Sequence, residues 1–156
     1  MALDAQAARA AALDALARRD YASQELHRKL LDRGYDAAVV GAVLERLCAE
    51  KLLDDQRYVE NYVAYHAARG HGPIRVRADL RKLGVEGEKV DASVDAYPDW
   101  IAQLKRAREK KFGTSLPTRY ADRARQMRFL GYRGFTGAQI RTALDFDTNL
   151  DTDSES

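Results

Sequence analysis

Histidine, cysteine and paired carboxylates are the side chains that could give this chain nucleophilic, acid–base or metal chemistry, and it has few of them. Its 156 residues hold three histidines, His27, His66 and His71, and one cysteine, Cys48. His66 and His71 are five apart across an expected helix end, and no carboxylate or cysteine cluster accompanies them to complete a metal site. Cys48 lies between Leu47 and Ala49 on an apolar helical segment and reads as a buried structural thiol, not a nucleophile. Asp54 and Asp55 read as a helix cap rather than a general acid–base pair. The segment HGPIRVRADLRKLGV, His71 to Val85, opens on glycine and proline. A phosphate loop would instead end in Gly-Lys-Ser/Thr, and proline removes an amide donor from any such cradle. The sequence therefore reads as that of a binding protein, not an enzyme, with no cofactor and no metal.

What the chain does have is unevenly placed charge. Its net charge is +2. Residues 1–68 carry 9 Lys/Arg against 11 Asp/Glu, residues 69–141 carry 17 against 8, and residues 142–156 carry none against 5. A basic middle calls for an anionic partner, either nucleic acid or an acidic protein surface. On the helix that Pro73 opens, Val76, Leu80 and Leu83 form an apolar stripe flanked by Arg75, Arg77, Arg81 and Lys82. With Arg69 these form one half of a candidate basic face. The other half is Lys105, Arg108, Lys111, Arg119, Arg123, Arg125, Arg128 and Arg133. Tyr58, Tyr62 and Tyr65, spaced four and three apart, share one helical face and are candidate aromatic contacts.

The elements that must position these residues recur. Gly34, Gly84 and Gly134 stand 50 residues apart. Each is preceded at four residues by a leucine (Leu30, Leu80, Leu130) and followed at six by Val40, Val90 or Ile140. The frame predicts three tandem three-helix units over residues 1–52, 53–98 and 99–147, then an acidic tail at 148–156 expected to be disordered. Ser23, Asp54 or Asp55, and Asp99 are the expected helix caps. No segment alternates with period two, so the expected fold is all-α: an elongated, curved, solenoid-like body in which stacking extends one core. The charges do not follow the repeat. The positions of Arg75, Arg77, Arg81 and Lys82 hold Glu25, His27, Leu31 and Asp32 in the first unit, so packing explains the leucines and glycines but not the cations.

Two blocks resemble the RecX family, bacterial regulators of the recombinase RecA. The first is Leu53-Asp54-Asp55 with Arg57-Tyr58, then Arg69-Gly70-His71-Gly72-Pro73 with Arg75, Leu80 and Gly84. The second is Arg128-Phe129-Leu130 followed by Arg133-Gly134-Phe135. The likeness spans about residues 8–146, and the three repeats agree with it. It implies a non-enzymatic protein that binds RecA and its nucleoprotein filament and inhibits ATP hydrolysis and strand exchange. Weak, sequence-independent DNA contact is part of that implication. The residue-level alternative is a helix-turn-helix-like DNA binder, though asparagine occurs only as Asn61 and Asn149 and Gln139 stands near the end. No apolar run is long enough for a membrane span, and the first residues lack the pattern of a secretory signal, so a cytoplasmic monomer is expected.

Overall fold

The structure, a computed structural model, describes residues 2–144; the acidic tail and its expected disorder lie outside the described residues. Among the described residues there are helices and no strand. They are α1 (Ala2–Arg18), α2 (Ser23–Asp32), α3 (Ala37–Ala49), α4 (Asp55–Ala68), α5 (Pro73–Lys82), α6 (Glu88–Ala96), α7 (Trp100–Phe112), α8 (Tyr120–Tyr132) and α9 (Gly137–Leu144). Helices 1–3, 4–6 and 7–9 pack among themselves, and α4 against α7 joins the second and third units. None of the described helices is long and apolar enough to cross a membrane.

The fifty-residue frame is the recurrence of one helix ending. Gly34, Gly84 and Gly134 have φ of 94°, 78° and 98°, a left-handed conformation that glycine adopts without a Cβ clash. Each glycine amide, and the amide after it, turns back onto the last turn: Tyr35 donates to Leu30 O, Val85 to Leu80 O and Phe135 to Leu130 O. The leucine at minus four is thus both the acceptor and the buried anchor, since Leu30, Leu80 and Leu130 are fully buried. Burying each contributes about 2–3 kcal/mol.

Helix starts depart from expectation in an informative way. Asp54 caps α4, accepting from Arg57 N at 3.1 Å. Asp55 serves another helix: it accepts from Ser23 N at 2.7 Å and Ser23 Oγ at 3.0 Å. Ser23 is therefore the first residue of α2 and a donor, not its cap; the N-cap is Ala22. Asp99 occupies the N-cap of α7, but its side chain accepts no bond there. Thr136 and Gln139 form a reciprocal capping box at α9, with bonds of 2.9 and 3.1 Å.

The expectation of one continuous core is corrected. The first unit packs around Leu26, Leu30, Val40, Leu44 and Leu47, joined by Leu53, while the second and third share a second cluster that runs from Tyr58 and Val63 to Trp100, Phe135 and Ile140 and takes in Ala22 of the first unit. The seam between the later units is backbone on backbone. Gly72 N donates to Arg133 O (2.8 Å) and Ile74 N to Gly134 O (2.9 Å). A Cβ on Gly72 would stand 2.3 Å from Gly134 C and Phe135 N, so only glycine permits this approach. Cys48, expected to be buried, is exposed, because α3 turns Leu44 and Leu47 inward and Cys48 outward.

Candidate anion-binding groove

The helix that the sequence marks as most basic spends much of its charge internally. Arg77 lies 3.3 Å from Asp91 and is hydrogen-bonded to Asp95, tying α5 to α6. Arg81 pairs with Glu86 at 3.4 Å, and Arg75 approaches Asp79 at 3.9 Å. The Cβ of Arg75 also fills the space over Gly134 at the seam. Lys82 is exposed at the end of α5.

Two expected contact residues belong to the interior. Arg108 is 3% exposed, and its guanidinium donates to Ser115 O, Thr114 O and Gln126 Oε1 at 3.2–3.4 Å. It fastens α7 to the following loop and to α8. Tyr58 is buried, and burial together with the charge of Glu25 pushes its phenol well above the ordinary value. Tyr62 is half-buried, while Tyr65 is 58% exposed, so the three tyrosines do not form one open face.

The cations that face solvent together line a groove between the end of α4, α7 and α8. Its volume is about 310 Å³. Arg69, Arg106, Lys110, Lys111 and Arg133 surround it, Phe129, Ala68 and Ala107 give it an apolar wall, and no carboxylate lines it. Arg133 and Lys111 lie over the Phe129 ring at 5.2 and 5.8 Å, which holds their charges at the groove without neutralising them. Arg69 is steadied by Tyr65, whose hydroxyl accepts from Nη1 at 3.0 Å. Arg69, Lys111 and Arg133 belong to the basic face that the sequence predicts; Arg106 and Lys110 lie outside it, although Gln103, Arg106 and Lys110 recur at helical spacing along α7. Lys105 lies on another side of α7, beside Arg108 and Glu109. Arg119 is the N-cap of α8, Arg125 pairs with Asp122 (3.7 Å), and Arg123 and Arg128 stand along the same helix.

Next to the groove, His66 and His71 bring their Nδ1 atoms to 3.3 Å, with rings stacked at 5.4 Å and Tyr62 against His66. Both imidazoles titrate below the ordinary value. Burial is the main cause for each; Arg75 and Arg133 add to it at His71, and Arg69 and Arg75 at His66. No group of three metal-ligating side chains occurs among the described residues. Gln139 is held in its capping box, its side-chain oxygen accepting from Thr136 N.

A chain of three-helix units with a carboxylate-free cationic groove is an all-α helical-repeat protein. The comparisons make the class specific. Residues 8–47 match the RecX first three-helix domain, 54–93 the second and 99–144 the third. "Regulatory protein RecX" of Halorhodospira halophila is 43% identical over 139 residues, 88% of this chain and 86% of that protein. The protein of that name from Ectopseudomonas mendocina is 41% identical over 83% of this chain and 87% of its own length. The crystal structure of RecX from Lactobacillus salivarius superposes with a TM-score of 0.79 over 93% of this chain at 20% identity, which shows the shared fold. The chain belongs to the RecX family. These relatives are named as regulatory proteins.

Proposed function

We propose that this chain binds RecA and RecA filaments on single-stranded DNA, and that it slows RecA's ATP hydrolysis and strand exchange. Family membership supports the partner, and the relatives' names support a regulatory role. The single observation that carries the mode of binding is the groove of five cations with no carboxylate in its lining. Such a trough holds acidic groups or strand phosphates without reading sequence, and its attraction weakens with salt. Bridging neighbouring subunits from an extended body would hinder the motions that accompany hydrolysis. The protein is proposed to act in the cytoplasm, as a monomer, with no cofactor.

The test is RecA ATP hydrolysis on single-stranded DNA with increasing amounts of this protein. Hydrolysis and strand exchange should both fall. Unchanged rates at saturating protein would overturn the reading. Replacing Arg106 and Lys110 by serine should weaken inhibition about tenfold, because two exposed charge contacts are together worth up to roughly 1.4–2 kcal/mol.

A further inference from the structure

The outward face of α8 is unlike the groove. Among the described residues, six large hydrophobics are exposed, and three of them lie on this one helix: Tyr120 (87%), Met127 (37%) and Tyr132 (88%). Tyr120, Ala124, Met127 and Gly131 follow one another at spacings of four, three and four, which places them along one stripe. A Cβ built on Gly131 meets nothing within 4 Å, so the stripe is open at that point. From Tyr120 to Tyr132 the helix runs about 18 Å, at ~1.5 Å per residue. Leu130 and Gln126 are the buried side chains of α8, and Tyr120, Met127 and Tyr132 are not among them. Neither tyrosine ring stacks on another ring among the described residues.

The charges along this face are selective. Arg123 and Arg128 flank the stripe on either side, and α8 contains no lysine. Its only acid, Asp122, lies off the stripe and pairs with Arg125. The groove, by contrast, mixes Lys110 and Lys111 with its arginines. Tyrosine, methionine and arginine together, with lysine excluded, are the composition that enriches protein–protein interfaces. Methionine adapts to a partner's shape, and small residues at Ala124 and Gly131 let another backbone come close.

We propose that the Tyr120–Tyr132 face of α8 is a protein-docking surface, separate from the anion groove, that receives an acidic amphipathic segment of the partner protein. The segment lays its apolar residues along Tyr120, Met127 and Gly131 and its carboxylates against Arg123 and Arg128. This rests on the proposed function, in which the partner is RecA. It divides the labour: α8 engages the protein, while the groove engages whatever anion the filament offers.

The experiment compares three proteins: the wild type, Tyr120→Ser/Met127→Ser/Tyr132→Ser, and Arg106→Ser/Lys110→Ser. Binding is measured to RecA free of DNA and to RecA on single-stranded DNA, at two salt concentrations. All substituted side chains except Met127 are more than half exposed or lie on the groove's rim, and thermal melting followed by circular dichroism checks that each variant stays folded. The α8 variant should bind DNA-free RecA at least tenfold more weakly. The groove variant should retain most of that binding while losing salt-sensitive affinity for the filament. If the α8 variant binds RecA as tightly as the wild type, or if the groove variant loses DNA-free RecA equally, the docking face is not on α8. If the wild type neither binds nor inhibits RecA, the proposed function fails first and the assignment of this partner fails with it.

Discussion

At the scale of single residues, Arg108 and the His66–His71 pair are the places where burial and charge conflict. Arg108 is a buried cation bonded only to neutral oxygens, two backbone carbonyls and Gln126. Arg108→Met would keep much of its volume but leave those three acceptors without a donor, and should cost about 2–4 kcal/mol in denaturant unfolding. Any change in the proposed inhibition of RecA should follow stability alone, since the Arg108 side chain does not line the groove. The two imidazoles, partly buried against each other and crowded by Arg69, Arg75 and Arg133, bind protons less readily folded than unfolded; Asp79 opposes the effect, at His66 more than either arginine adds to it. The unfolded chain therefore takes up more protons as pH falls. Stability should be full above the unfolded value of 6.5 and decline as pH drops below it. Urea midpoints at pH 7.5 and 5.5 should separate clearly in the wild type and less in His71→Gln. Equal separation in both would show that other groups set the acid sensitivity.

At the scale of helices, the tandem aspartates have different duties. Asp54→Ala should weaken the start of α4, and Asp55→Ala should weaken the start of α2 and the contact between the first two units, each by about 1 kcal/mol. Asp55→Asn retains an accepting oxygen and should recover most of the loss in thermal unfolding. Asp55's role was not visible in sequence, because its acceptor bond spans 32 residues and depends on how two units meet. By contrast, the leucine–glycine frame was visible, because a left-handed helix ending with its back-bond is local chemistry repeated three times. The pairing of charges is hidden from the sequence for the same reason. Arg77 looks free along its own helix, yet its partners Asp91 and Asp95 come from α6. The groove unites Arg69 with residues of α7 and with Arg133, so composition could signal an anionic partner but not where five cations converge.

At the scale of the whole molecule, two cores imply two cooperative parts. In the first unit α1 fully buries only the small side chains Ala8, Ala12 and Ala15, with Leu13 and Leu16 packed partly exposed against the core. The joint core of the second and third units contains Trp100, Leu104, Phe135 and Ile140, and each buried methylene adds about 0.8 kcal/mol. The later units are also bonded through their backbones at Gly72 and Ile74, whereas Asp55 to Ser23 and the packing of Gly84 on Gln24 join the first unit to the second. Native-state hydrogen exchange should therefore show α1–α3 opening together at lower free energy than α4–α9. Gly72→Ala places a methyl against the backbone of Gly134 and Phe135 and should cost at least ~2 kcal/mol. That loss should fall on the amides of α4–α9 while leaving the protection of α1–α3 nearly unchanged. Uniform loss across all the helices would mean that the chain unfolds as one unit and that the division into two cores has no energetic weight.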